Sequence, residues 1–180
     1  MATSFHPMPV ELQTERLRLR PMRVDESPIV RELWLERDPR VPRRINHLGN
    51  PTIEELRERI TIQLTESEHS GLALLAIEEH TDPGGFLGYC GLVVGAGSLE
   101  EPELAFELFR SSQGRGVATE AASAIVDAAY STGRTRLWAT VREWNLASFA
   151  VLAKVGFSDS GRRTEDPIHG DTFWMVRELR

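Results

Sequence analysis

Apolar and polar residues alternate along several short stretches of this chain, and a period of two predicts β-strands. Two other stretches are apolar almost throughout and of strand length. Because the turn residues Asp82-Pro83-Gly84-Gly85 separate them, they predict a hairpin. The predicted strands are residues 17–20, 72–77, 86–94, 103–109, 135–142, 157–161 and 172–176.

Apolar residues spaced three and four apart predict four helices. The expected caps are Asp25 for the first helix and a Thr52–Glu55 capping box for the second. The third runs from Gly116 to Gly133, and Asn145 caps the fourth. The order of elements predicts a mixed α/β (α+β) fold, a single domain over residues 1–180 with residues 1–11 as an N-terminal extension.

Composition removes several classes of function. The 180 residues carry 21 basic and 27 acidic side chains, a net charge of −6, so a nucleic-acid partner is disfavoured. No apolar run approaches ~18 residues, which predicts no membrane span, and the first ten residues lack the apolar core of a signal peptide. A single cysteine, Cys90, fits a reducing, cytoplasmic location. The five histidines show no ligand spacing, so we expect no metal site.

The stretch richest in chemistry is Gln113-Gly114-Arg115-Gly116-Val117-Ala118, which lies between a predicted strand and a predicted helix. Two glycines let backbone N–H groups turn outward at the positive end of the helix dipole, which suits a phosphate or pyrophosphate. Arg115 adds a cation and Thr119 a hydroxyl. The segment is neither a P-loop nor a dinucleotide fingerprint, and an ordinary glycine turn is the plain alternative.

Several ordered motifs resemble one family. Gln113-x-x-Gly116-x-Ala118 matches the acyl-coenzyme A signature of the GNAT N-acetyltransferases. Other motifs occur in the order found in the RimJ/RimL-like branch, which acetylates ribosomal-protein N-termini. They are the Leu-Arg-Leu-Arg-Pro run of residues 17–21, Asn145-x-x-Ser148 and residues 154–157. The resemblance spans nearly the whole chain.

The resemblance implies a mostly antiparallel sheet of about seven strands with helices on both faces, splayed between the fourth and fifth strands. It also implies acetyl-CoA as cofactor, its pyrophosphate on the glycine turn, and its pantetheine arm along the main chain near Phe106, Leu108 and Arg110. The residues expected to hold the cofactor are Phe106, Leu108, Gln113, Gly114, Arg115, Gly116, Val117, Ala118, Thr119, Asn145 and Ser148.

Acetyl transfer to an amine needs a proton acceptor for the ammonium and a proton for the departing thiolate. The period of two places Glu103, Ala105 and Glu107 on one strand face, so Glu107 is the preferred base and Glu103 the second carboxylate. The alternative is an ordinary solvated strand face. The resemblance implies that Ser148 is the acid or thiol contact, although a helix cap at Asn145 explains the same spacing.

The acceptor pocket is less well defined by the sequence. Trp34 and Trp144 are candidate substrate-binding residues, although both also suit core or rim positions. The basic segment Arg37–Arg44 either lines a site for an acidic group or is a solvated loop. Cys90 has no neighbouring histidine, so a buried thiol is expected rather than a nucleophile.

Two departures from the family weaken a protein N-terminus as acceptor. Many relatives that acetylate protein N-termini carry a Glu at the position of Thr140 and a Tyr at the position of Leu152. Three hypotheses therefore stay open: acetylation of a protein N-terminus, acetylation of a small amine, and a non-catalytic acyl-CoA-binding module. Members of the family often dimerise, so the resemblance also implies that this protein forms a homodimer.

Overall fold

The computed structural model describes residues 5–179, which form one eight-stranded sheet and four α-helices. The strands are β1 (Leu12–Gln13), β2 (Leu17–Pro21), β3 (Leu74–Glu79), β4 (Gly88–Val93), β5 (Glu103–Leu108), β6 (Arg136–Arg142), β7 (Ser158–Thr164) and β8 (Thr172–Glu178). The helices are α1 (Ser27–Leu35), α2 (Ile53–Ser70), α3 (Val117–Ser131) and α4 (Leu146–Lys154). Short 3-10 helices precede α1 and follow β5.

The strand order is β1-β2-β3-β4-β5-β6-β8-β7, and every neighbouring pair is antiparallel except β5 and β6. The predicted mixed fold and the hairpin of β3 and β4 are confirmed. The sheet has eight strands rather than about seven, because the two residues of β1 are too short to show a period. The fourth and fifth predicted strands correspond to β5 and β6. The predicted splay between them is also present, since they share a single register pair, Glu103 with Trp138.

Helices cover both faces of the sheet, as expected. One core contains α3 and α4 packed on strands, with Leu104, Val117, Ile125 and Leu152 buried. A smaller core lies under α1 and α2 on the opposite face and includes Leu33 and Tyr89. The turn between β5 and α3 therefore lies where the two halves of the sheet separate.

The helix starts are confirmed with one exception. Thr52 accepts a hydrogen bond from the Glu55 N–H at 3.2 Å, and the Glu55 carboxylate accepts one from the Thr52 N–H at 2.6 Å. Asp25 is not a cap, because it lies inside a 3-10 turn with its side chain exposed. Glu26 takes that position instead and accepts from the Arg23 N–H at 2.7 Å.

The N-terminal residues that the structure describes lie against the fold. Met8 is buried, and its N–H donates to the Gly71 carbonyl at 2.7 Å. Of the helices in the described part of the chain, none is both long and apolar enough to cross a bilayer.

A buried ion cluster joins the first strands to α1. Arg20 contacts Glu26 at 2.6 Å and Glu78 at 2.9 Å, and all three side chains are nearly inaccessible to solvent. Burial by itself raises the pKa of Glu26, but hydrogen bonds from Arg20 and Arg23 outweigh it, so the pKa lies below its usual value. The pKa of Glu78 is lowered in the same way, mainly by Arg20.

We expect this cluster to make the free energy of unfolding fall in acid. Carboxyls whose pKa is lowered by folding stabilise the native state above their unfolded pKa, about 4.3, and lose that contribution as the pH falls. Glu26→Gln should lower the free energy of unfolding by about 3 kcal/mol at neutral pH. The difference in stability between the variant and the native protein should be smaller near pH 3. Urea unfolding at both pH values tests this. Asp25→Asn, at an exposed neighbouring carboxylate, is the matched control and should change little.

Candidate active site

The turn before α3 has the backbone geometry of an anion cradle. Gly114 and Gly116 have φ values of 72° and 81°, a left-handed conformation that glycine adopts without strain. Among residues 5–179, no group accepts a hydrogen bond from the N–H groups of Gly114 to Thr119. They lie at the positive end of a 15-residue helix, so the turn can bind a diphosphate.

Side chains fix this turn to the sheet. The Gln113 amide donates to the Leu108 carbonyl at 3.1 Å, and Arg16 donates to the Arg115 carbonyl at 3.1 Å. The Arg115 guanidinium pairs with Glu79 and does not line the cavity beside the turn. Arg115 therefore contributes its backbone N–H to the cradle, whereas its guanidinium is paired with Glu79.

The direction of the β5 main chain follows from two hydrogen bonds. The Pro102 carbonyl accepts from the Trp138 N–H of β6, and the Phe109 N–H donates to the Leu87 carbonyl on the β4 side. Main-chain groups alternate in direction along a strand. The even-numbered residues therefore present their N–H and C=O groups to the opening beside β6, and these residues are Leu104, Phe106 and Leu108.

Two of the main-chain groups expected to bind a ligand already have partners. The Leu108 carbonyl holds the Gln113 side chain. The Arg110 N–H donates to the Glu36 carboxylate at 2.7 Å, so it is occupied by the segment that follows α1. Among the described residues, no comparable bond occupies the main chain of Phe106.

A cavity of about 920 Å³ connects the turn with the ends of the splayed strands. It includes most of the residues predicted to be catalytic or to bind the cofactor or the substrate. Those residues are Phe106, Glu107, Leu108, Gln113, Gly114, Gly116, Val117, Ala118, Thr119, Trp144, Asn145 and Ser148. Glu103, Arg115 and Trp34 do not line it.

Glu107 is held by two partners that the sequence did not predict. The Arg37 guanidinium contacts its carboxylate at 2.6 and 2.5 Å, and the Tyr89 hydroxyl donates to the same group. Arg37 is largely buried and lines the cavity; Arg40 and Arg43 of the same basic segment also line it but are exposed to solvent. Burial raises the pKa of Tyr89, and the neighbouring Glu107 charge adds to that effect. Tyr89 and Glu107 stand opposite each other in the β4–β5 register, and no pattern in the sequence gives that register.

Glu103 lies away from the cavity. One of its oxygens accepts from the Thr140 N–H at 3.0 Å and from the Thr140 hydroxyl, and the other accepts from the Ala96 N–H at 2.9 Å. Glu103 and Glu107 belong to the same strand, as the sequence predicted, but their two carboxylates have different surroundings. Nothing in this arrangement brings Glu103 to a reacting amine.

The start of α4 contributes a hydroxyl. The Asn145 side chain accepts from the Ser148 N–H at 3.2 Å, so the helix cap is confirmed. Both residues also line the cavity, which means that capping and ligand contact are compatible. The cap orients Ser148 in the first turn of α4, beside the opening between the strands.

The two tryptophans differ in position. Trp144 lines the cavity, donates its indole N–H to the His169 carbonyl at 2.8 Å, and lies under the Arg40 guanidinium at 4.2 Å. Trp34 lies outside the cavity and packs against the Arg37 guanidinium at 3.7 Å from the ring centroid. Trp34 therefore supports a cavity residue rather than lining the cavity itself.

Other chemistries have little support in the described residues. Within them no group of three or more His, Cys, Asp or Glu side chains has the geometry of a metal site. Cys90 is fully buried, and burial raises the pKa of its thiol far above the usual value. A cysteine nucleophile is therefore not available at this cavity.

Comparison with known proteins identifies the family. The model of the acetyltransferase (GNAT) domain matches residues 16–158. An N-acetyltransferase named p20 from Bacillus licheniformis is 27% identical over 152 residues, which cover 83% of each chain.

Solved structures agree in fold. An acetyltransferase from Agrobacterium tumefaciens strain C58 has a TM-score of 0.72 at 27% identity and covers 98% of both chains. RimJ from Mycobacterium smegmatis, solved in complex with CoA-disulfide, has a TM-score of 0.70 at 23% identity and covers 90% of this chain and 81% of its own. The chain therefore belongs to the GNAT family of acetyltransferases, with RimJ among its structural neighbours.

Proposed function

We propose that this acetyltransferase moves an acetyl group from acetyl-CoA to a primary amine by direct attack, with both substrates bound, and that residues 1–180 form one catalytic domain. One observation carries the assignment: a single cavity joins the unpaired N–H groups before α3 to Glu107 and Ser148. The family supports it, and a RimJ structure of the same fold contains a CoA derivative.

The cofactor would lie along the opening between β5 and β6. N–H groups from Gly114 to Thr119 suit the pyrophosphate, because no protein group competes for them in the described structure. The pantetheine arm would take the place of the missing β6 neighbour and pair with the main-chain groups of Phe106 and with the N–H of Leu108, whose carbonyl is occupied by Gln113. The thioester would then reach the ends of the strands, near Glu107 and Ser148.

The reaction forms an N–C bond and breaks a C–S bond. The amine must first lose a proton, and Glu107 accepts it, directly or through water, while Arg37 and Tyr89 hold the carboxylate in place. The amine then attacks the thioester carbon. The departing sulfur takes a proton from the Ser148 hydroxyl, which lines the same cavity, and the second proton of the attacking nitrogen returns to the Ser148 oxygen, directly or through water. No covalent enzyme intermediate is required.

The acceptor is proposed as a primary amine, either a protein N-terminus or a small molecule. Arg40 stacks on Trp144 and joins the segment after α1 to the segment before α4, with both residues lining the cavity. A contact across the cavity favours a slender acceptor. We further infer a cytoplasmic enzyme, where the buried Cys90 thiol stays reduced. A homodimer stays a prediction.

Thiol release tests this function. Purified protein with acetyl-CoA and a panel of peptides, polyamines and amino acids should release coenzyme A thiol with at least one amine. Calorimetry should show that coenzyme A binds to the protein both in the absence of an amine acceptor and in its presence. Binding without turnover on any amine would indicate the non-catalytic acyl-CoA module, and no binding would contradict both.

A further inference from the structure

A side chain, rather than the end of a strand, terminates the ladder between β5 and β6. We propose that Glu103 is a positioning residue that keeps the cofactor groove open by capturing the N–H group of Thr140. This role rests on the proposed function, because the groove that it keeps open is the one assigned to acetyl-CoA. It replaces the catalytic role that the sequence suggested for Glu103.

The geometry of a parallel ladder defines the bond that is missing. The Trp138 N–H donates to the Pro102 carbonyl at 2.9 Å, and Trp138 is registered with Glu103. In a continued ladder, the next N–H of β6 on this side, that of Thr140, would donate to the Leu104 carbonyl. It donates instead to the Glu103 carboxylate at 3.0 Å, and the Thr140 hydroxyl donates to the same oxygen.

The carboxylate is also fixed from its other side. Its second oxygen accepts from the Ala96 N–H at 2.9 Å, in the loop that follows β4. Gly95 allows this approach, because a Cβ at that position would lie 2.2 Å from the carboxylate oxygen. Glu103 therefore links β6 to the loop after β4 and competes with its own strand for the Thr140 N–H.

The bond from the Thr140 N–H to Glu103 affects the width of the groove between β5 and β6. Paired strands lie about 4.8 Å apart, which leaves no room for a ligand chain between them. One more ladder bond at Leu104 would bring β6 towards Phe106, where the pantetheine arm is expected. Glu103 contributes to cofactor binding through Thr140, without touching the ligand.

Three substitutions at Glu103 separate this role from others. Glu103→Ala removes the acceptor, Glu103→Met removes it while keeping side-chain length, and Glu103→Gln retains an oxygen for Thr140. We expect coenzyme A to bind about tenfold more weakly to the Ala and Met variants, equivalent to about 1.4 kcal/mol, and within about threefold of the native affinity in Glu103→Gln. The pH profile of kcat should stay unchanged, because Glu103 transfers no proton.

Glu101→Ala is the matched control. Glu101 lies at the same junction, but it bonds the Arg136 and Trp138 side chains rather than a ladder N–H, so coenzyme A affinity should be native. A crystal structure of Glu103→Met should show the Thr140 N–H bonded to the Leu104 carbonyl. Native coenzyme A affinity in both the Ala and Met variants, or a displaced pH profile in Glu103→Gln, would overturn the positioning role and leave the proposed function standing. Absence of binding by the native protein would instead overturn the proposed function.

Discussion

Replacing Glu107 with glutamine is expected to lower kcat by about 10²–10⁴-fold, the usual contribution of a general base. The amide keeps the shape of the side chain but cannot take a proton from the ammonium. It also leaves the Arg37 guanidinium without its counter-ion beside the cavity, so the KM for a cationic acceptor should rise. Coenzyme A affinity should change little, because the substitution is isosteric and leaves the main-chain groups of β5 and of the glycine turn in place.

Steady-state kinetics with the best amine, together with calorimetry for coenzyme A, measure the two effects separately. Glu100→Gln is the control, since Glu100 is exposed and lies just before β5. If Glu107→Gln keeps native kcat while Glu100→Gln does the same, Glu107 is not the base. If neither the native protein nor any variant turns over but all bind coenzyme A, the chain is a binding module.

Gly116→Val is expected to weaken coenzyme A binding by about 10- to 100-fold, the value of one charge-assisted hydrogen bond of about 1.5–3 kcal/mol. Gly116 has a φ of 81°, which a β-branched residue adopts only with strain. A Cβ there would also lie 3.3 Å from the Arg16 guanidinium, which holds the Arg115 carbonyl. The turn should relax to negative φ and rotate its N–H groups away from the pyrophosphate.

Gly133→Val provides a matched control at the other end of α3. Gly133 has a φ of 84° and no atom within 4 Å of its ideal Cβ position, so the backbone strain is similar and the cradle is untouched. Thermal melts should show comparable losses of stability in both variants, whereas calorimetry should show weak coenzyme A binding only in Gly116→Val. Native affinity in a folded Gly116→Val protein would contradict the cradle assignment.

Much of the fold was predictable because its signals are local. Glycines with left-handed backbone mark the turn before α3 and the end of that helix, and the Thr52–Glu55 box marks the start of α2. Alternation of side chains along β5 also placed Glu107 on the face opposite Leu108. These features depend on residues a few positions apart, so the sequence alone determines them.

Contacts between distant segments were not predictable in the same way. Arg37 and Glu107 lie 70 residues apart, and Glu103 and Thr140 lie 37 apart. Each pair depends on the register of the sheet and on the path of a loop. Periodicity cannot rank the alternative partners, since a solvated carboxylate and a paired one look identical in a strand pattern.

The sequence by itself determined the order of elements, the glycine turn and many, but not all, of the residues that surround the cavity. Only the tertiary structure decided the surroundings of the two carboxylates of β5, because packing of α1 and β4 brings Arg37 and Tyr89 to Glu107, and the pairing of β6 with the start of β5 brings Thr140 to Glu103. Backbone preference acts over a few residues, whereas the environment of a charge is set by every segment that folds against it.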